Sequence, residues 1–254
     1  MPKDNPIIVT DFSGIFLYES FGQIYPCVCL DCKRMSSVRR YCDVAAASVL
    51  RSLIAPYSFR GVHFIDTGDY HYMTKLWCEK IQEPFALVVF DHHPDMQLPA
   101  FGPILSCGSW VKEMLDTHSF LQKVVIVGVA EKFTDLQEAT SYHVTIINET
   151  SVRQGQAMNL LHAIHFGVPI YISLDKDVLS RDNIITNWSN GSLSLPVLCM
   201  MLKDLITSNS LLGIDICGGI EICDPVTCRQ IIELNNRCDE MLLSVLYSTK
   251  KASD

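Results

Sequence analysis

Seven short runs along the chain are apolar almost without interruption, where a half-exposed strand would alternate: "PIIVTDF" (6–12), "VHFID" (62–66), "FALVVFD" (85–91), "KVVIVGV" (123–129), "HVTIIN" (143–148), "PIYISLD" (169–175) and "LLGIDI" (211–216). Continuous apolarity of this length belongs to strands covered on both faces, and so to a mostly parallel sheet. Between the runs lie amphipathic stretches at 42–55, 71–82, 108–117, 152–166 and 195–208, with a long one at about 226–247. The alternation predicts a three-layer α/β/α fold, doubly wound, spanning residues 1–254 as a single domain. No internal repeat, low-complexity tract or linker interrupts it. The polar, turn-rich stretch "SRDNIITNWSNGS" (180–192) reads as a loop over a site and not as a domain boundary.

Composition narrows the partners. With 254 residues and 48% hydrophobic content the chain can bury a sizeable core. A formal charge of −8, without a basic run longer than two residues, argues against nucleic acid or an anionic membrane as partner. No apolar run approaches the roughly 20 residues of a membrane span, and the N-terminal segment lacks a basic region followed by an apolar core. The expectation is a cytoplasmic protein acting on a small molecule, with a homo-oligomer open. The 11 cysteines are scattered and mostly inside apolar segments, as expected of reduced core thiols. Only "PCVCLDC", with Cys27, Cys29 and Cys32 and with Cys42 nearby, raises a structural zinc as an alternative, and its spacing matches no paired C-x-x-C framework.

Nearly every predicted strand ends in an acid or amide: Asp11, Asp66, Asp91, Asn148, Asp175 and Asp215. Helix N-capping explains Asp11, Asp66 and Asn148 taken singly. It does not explain "DHHPD", in which Asp91, His93 and Asp95 recur every second residue and project to one side of an extended segment. Pro94 marks that segment as having left the sheet, at the carboxyl edge where open α/β sheets bind ligands. In "SLDKDVL" the same spacing aligns Asp175 and Asp177. Carboxylates that follow a buried strand are costly unless paired, hydrogen-bonded or metal-bound, and four beside an imidazole call for divalent cations. Two ions suit the set better than one, and oxygen-rich ligation with histidine favours manganese or a similarly hard ion.

These motifs carry a resemblance. "DHHPD" resembles the D-x-H-x-D metal motif of the arginase and agmatinase family of ureohydrolases, "SLDKDVL" is similar to its S-x-D-x-D motif, and "DTGDYHYMT" resembles its G-G-D-H segment. The pieces come in family order over roughly residues 60–220. In the last of them the aligned histidine position holds Tyr70, and His71 fits with a shift of one residue. The resemblance implies one manganese ion held by His71, Asp91, Asp95 and Asp175 and a second held by Asp91, His93, Asp175 and Asp177, with Asp91 and Asp175 bridging. Two such ions lower the pKa of a shared water and present hydroxide to a trigonal carbon, with Asp95 orienting it. In the family that carbon is guanidino or amidine and a C–N bond is hydrolysed.

Departures from the family concern substrate handling. Where the family carries a glutamate that pairs with guanidinium, "GIDICGGIE" has Gly218; the nearest acids are Asp215 and Glu221, either of which takes the role if the loop runs differently. Where the family carries a proton-shuttling histidine, "SCGSWV" has Trp110. Arginase proper is therefore not expected. Lys176 reads as a salt-bridge partner or a substrate contact, His92 as turned away from the ligands, His162 and His165 as ordinary helix histidines, and Cys107 as a weak candidate nucleophile near a helix start. Two alternatives remain: a single-zinc (Zn2+) amide deacetylase on the same fold, using Asp91, His93 and Asp175, and a metal-stabilised binding protein without turnover.

Overall fold

The computed structural model describes residues 5–98, 102, 104–133 and 143–248. At its centre are eight strands: β1 (Ile7–Asp11), β2 (Cys27–Asp31), β4 (Val62–Ile65), β5 (Phe85–Phe90), β7 (Leu121–Val129), β8 (Val144–Asn148), β9 (Ile170–Asp175) and β10 (Leu211–Cys217). They lie in the order β2-β1-β4-β10-β9-β5-β7-β8, and every pairing is parallel. The sheet is thus wholly parallel where a mostly parallel one was expected. A separate antiparallel ribbon pairs β3 (Tyr41–Cys42) with β6 (Leu105–Ser106).

Two apolar layers cover the sheet. Helices α1 (Val44–Ile54), α2 (Met73–Cys78) and α3 (Trp110–Thr117) bury residues such as Leu50, Leu76 and Met114 on one face. On the other, α5 (Ala157–His162), α6 (Leu195–Ser208) and α7 (Arg229–Ser248) bury Leu161, Leu202 and Leu243. Side chains alternate across the central strands, so Ala86, Val88 and Phe90 enter one layer while Phe85, Leu87 and Val89 enter the other. This is why those strands read as unbroken apolar runs.

Local chemistry sets the boundaries. The stretch 152–166 is two helices, α4 (Glu149–Arg153) and α5, because Gly155 turns the chain with φ of 71°. The stretch 71–82 narrows to α2, entered through a 3-10 turn at Gly68–Tyr70. Asn148 caps α4 by accepting from Ser151 N at 3.0 Å. Asp66 does something else: its carboxylate accepts from Phe12 N, Ser13 N, Ser13 Oγ and Thr67 N at 2.7–2.8 Å, tying the ends of β1 and β4 together. Asp11 accepts from Gly14 N and Lys33 Nζ and likewise caps no α-helix. Cys27 and Cys29 are exposed on the edge strand β2, while Cys32 and Cys42 are buried. No described helix is long and apolar enough to cross a membrane.

Candidate metal centre

The carboxyl ends of the central strands meet in register, with Phe90 of β5 beside Leu174 of β9 and Asp175 beside Cys217 of β10. Each strand releases its acids at that edge. Asp91 follows β5 and accepts from His93 N at 2.6 Å; Asp175 ends β9 and accepts from Asp177 N at 2.9 Å; Asp177 accepts from His92 N at 3.0 Å. These short loops knit the two motifs together through backbone donors, so the carboxylates are aimed by the chain that carries them.

Three groups of ligand atoms, each within 4.8 Å of one another, result: His71, Asp91 and Asp95; Asp91, His93 and Asp177; and His71, Asp175 and Cys217. Asp91 belongs to the first two. His71 Nδ1 lies 3.0 Å from Asp95 Oδ2, 3.2 Å from Asp91 Oδ2 and 3.7 Å from Asp175 Oδ2. His93 Nδ1 lies 2.9 Å from Asp177 Oδ2 and 3.5 Å from Asp91 Oδ1. The structure therefore brings together His71, Asp91, His93, Asp95, Asp175 and Asp177. His71, and not Tyr70, faces the acids; Tyr70 stacks on Phe12 with ring centroids 4.1 Å apart.

Asp215 and Glu221 are not part of this assembly. Asp215 is buried under it, accepting from Ser173 Oγ at 2.7 Å and Thr74 Oγ1 at 3.0 Å, and Ser173 Oγ is 2.9 Å from His71 Nε2. With both hydroxyl protons on Asp215, His71 Nε2 must donate to Ser173, which leaves Nδ1 as the ligating nitrogen. Glu221 stands apart from these groups, 3.0 Å from Arg39 Nη2. At Gly218, φ is 91°, and a Cβ there would collide with Asp175 Oδ1 and come 2.7 Å from Lys176 N. The backbone passes directly over Asp175, and no side chain fits.

Burial and mutual repulsion set the protonation. Asp95 is pushed up to about 6 by burial and by Asp91, and burial with Asp175 raises Asp177 well above the usual carboxylate range. Burial opposes the charge on Asp91 too, but His71 and His93 outweigh it and hold that carboxyl low. His93 pays a similar desolvation penalty, yet Asp177 and Asp91 lift it to about 11. Among the described residues no lysine or arginine pairs with any of the four acids, and His71 Nδ1 has no hydrogen-bond partner although it is buried. Four convergent carboxylates, two imidazoles and an unsatisfied ring nitrogen fit divalent cations.

Around these groups lies a cavity of about 220 Å³ whose lining includes Arg40, Tyr41, Gln97, Ser106, Cys107 and Trp188. Trp188 comes from the 180–192 loop, and Ser189 of that loop reaches His93 Nε2 at 3.3 Å. Trp110 Nε1 donates to Asp95 Oδ2 at 2.7 Å, and its ring is tilted over His71 at 4.8 Å. Lys176 turns away from the cavity to Asp239, and His162 and Asp204 pair at the surface 3.0 Å apart. Sequence reasoning missed Arg40, which lies far from either motif, and Gln97 and Trp188, which carry no ligand pattern of their own although Gln97 follows "DHHPD" by two residues and Trp188 sits in the 180–192 loop. It also read Cys217 as a plain core thiol, whereas its Sγ donates to Asp175 Oδ2 at 3.3 Å and lies within ligand range of His71.

Comparison with known proteins agrees with this geometry. The chain is 37% identical over 193 residues to an uncharacterised protein of Thermotoga maritima, covering 76% of this chain and 70% of that one. A formimidoylglutamase from Bacillus subtilis superposes with a TM-score of 0.67 at 17% identity, covering 98% of this chain and 88% of that one. An agmatine ureohydrolase of Thermoplasma volcanium superposes with a TM-score of 0.68 at 12% identity, covering 99% and 93%. An arginase from Entamoeba histolytica gives 0.67 at 13%, covering 94% and 98%. Residues 25–184 match the arginase family, and the chain, which shares the fold of these solved structures, belongs to that family as a divergent member.

Proposed function

We propose that this chain is a hydrolase that cleaves a C–N bond in a small guanidino, amidine or related substrate, with two manganese ions as cofactor. The observation that carries this reading is the convergence of His71, Asp91, His93, Asp95, Asp175 and Asp177 without a balancing lysine or arginine. His71, Asp91, Asp95 and Asp175 would hold one ion, and Asp91, His93, Asp175 and Asp177 the other. When bound, the pair supplies a hydroxide at neutral pH by lowering the pKa of a shared water.

The chain's own residues do the rest. Asp215 and Ser173 hold the His71 ring so that Nδ1 faces the acids. Trp110 occupies Asp95 Oδ2, so Oδ1 is the atom that takes the nucleophile's proton and returns it to the leaving nitrogen. A cavity of about 220 Å³, below the roughly 300–1,000 Å³ of drug-sized sites, restricts the substrate to a small molecule. Glu221, bound to Arg39, enters as a partner of that arginine and not as the carboxylate facing the scissile carbon.

Without the guanidinium-pairing glutamate, a fixed cation in the substrate head lacks its partner, a loss of about 3–5 kcal/mol. Arginine and agmatine are therefore expected to lag the preferred substrate by roughly two to three orders of magnitude in kcat/KM. The test is ammonia, urea and amine release by manganese-loaded protein across guanidines and amidines, N-formimidoyl amino acids included. Turnover of at least one compound, with arginine and agmatine far behind, is expected; no turnover of any, or efficient turnover of arginine or agmatine, contradicts the proposal. Gly218→Glu is expected not to rescue either compound, because the new side chain would strike Asp175.

A further inference from the structure

The cavity has acids at its floor and a cation at its outer edge. Arg40 is the only lysine or arginine among the described residues that line it. Its side chain is 54% exposed, against 15% or less for all six candidate ligands, so it stands on the solvent side of them. Two linked contacts hold it there. Arg40 Nε donates to Asp69 Oδ1 at 2.9 Å, and Asp69 is itself wholly buried. Asp69 also accepts from Arg39 Nε at 2.9 Å and from Trp188 Nε1 at 3.0 Å. The Arg40 guanidinium lies over the Trp188 ring, 5.1 Å from its centroid.

The backbone is constrained as well. Arg40 has φ of 61°, a left-handed conformation that a non-glycine side chain rarely adopts. Arg40 N donates to Asp69 O at 3.0 Å and Arg40 O accepts from Cys107 N at 2.9 Å, so the Gly68–Tyr70 turn on one side and the residue after β6 on the other enforce it. A conformation of this kind persists where the surroundings over-determine it, and such residues concentrate at ligand clamps. What is left over is informative: Nε and one face of the guanidinium plane are committed, while no described residue pairs with Nη1 or Nη2. Those two nitrogens form the flat, two-donor edge that matches an oxyanion.

Resting on the hydrolase reading above, we infer that Arg40 is an anchor for a terminal oxyanion, so that the substrate is an amidine or guanidine carrying a carboxylate or a phosphate-like group at the end away from the scissile carbon. Such a molecule has opposite charges at its two ends, as the cavity does. A substrate with a second cation in place of the anion would instead meet Arg40 with like charge.

Calorimetric titration of the manganese-loaded protein with four probes tests this: 4-guanidinobutanoate, 3-guanidinopropylphosphonate, uncharged-tail n-butylguanidine and agmatine. Binding of one or both anionic probes at least about tenfold tighter than n-butylguanidine is expected, with agmatine weakest. The ratio between the two anionic probes tells carboxylate from phosphate-like recognition. Arg40→Gln is expected to abolish the preference while metal content stays as in the parent and the protein remains folded; Arg40→Lys, which keeps the charge but not the fork, retains a part. Equal binding of charged and uncharged tails, or a preference that survives Arg40→Gln, overturns the inference whatever the hydrolysis assays give. A preference that Arg40→Gln removes, in protein that turns over no probe, upholds anion recognition and counts against the hydrolase reading alone.

Discussion

Lys176 and the two aspartates beside it deal with buried charge in opposite ways. Lys176 points to one side of its 3-10 turn, where Nζ sits 2.8 Å from both carboxylate oxygens of Asp239 on α7, and both side chains are under 5% exposed. Asp175 and Asp177 point to the other side, toward Asp91 and the histidines, with no lysine or arginine opposite them. On one side the chain brings its own counter-ion; on the other it concentrates like charge. His63 shows what becomes of a buried ionisable group left without either solution. Packed on Trp77 at 3.9 Å, between Tyr171 and Ser58, it is pulled down to about 4 by burial and stays neutral. A protein with all three arrangements in one sheet has concentrated the acids of the cavity without a counter-ion of its own, the arrangement that the proposed divalent metal would balance.

The largest effect should come from removing a carboxylate that the proposed ligand sets share between both ions. Loss of mere hydrogen-bond partners around a metal ligand typically costs about 10- to 100-fold in affinity. Asp91→Asn or Asp175→Asn should therefore lose metal and hydrolysis by more than about a hundredfold, and lose more metal than His71→Ala. Retained metal, counted per chain after gel filtration of the three variants, decides; equal retention in all three would mean that the bridges are misassigned.

The self-compensated side breaks differently. Lys176→Met leaves Asp239 buried beside Glu19 without its cation and is expected to destabilise the fold by about 3–5 kcal/mol, whereas Lys176→Met with Asp239→Leu should be close to neutral. Urea unfolding of the single and double variants reads the difference. Equal losses in both would show that the pair is not coupled and that the contrast with Asp175 and Asp177 has been overdrawn.

The smallest effect is a pH slope. His63 is depressed in the folded state to about 4 from an ordinary 6.5, so between those values the unfolded chain binds a proton that the native one refuses. Its contribution is fully present above about 6.5 and fades as pH falls toward 4, on the order of 3 kcal/mol across the window. His63→Gln should flatten the stability–pH curve there; an unchanged slope would show that His63 takes up its proton in the native state.

How much of this was readable beforehand follows from which interactions are local. Strands β5, β9 and β10 announced themselves because two apolar layers cover them, and the acids at their ends stood out against that background. Strand β2 did not, since its "CVCLD" sits at the sheet edge with Cys27, Cys29 and Asp31 exposed. The two-residue strands β3 and β6 are too short to leave a periodicity. Whether Tyr70 or His71 faces the acids depends on a single 3-10 turn. Arg40 and Trp188 meet over Asp69 from segments about 30 and 120 residues apart, and no local pattern announces such a contact. Asp215 was legible as an acid at a strand end, but not as the group beneath Ser173 that turns His71.

Metal content tests the central claim most directly. Protein reconstituted with manganese, freed of unbound ion by gel filtration without chelator and analysed by elemental mass spectrometry, should carry about two manganese ions per chain. Chains that emerge with no bound transition metal would contradict the account at its root, because four converging carboxylates would then be held together by something other than divalent cations.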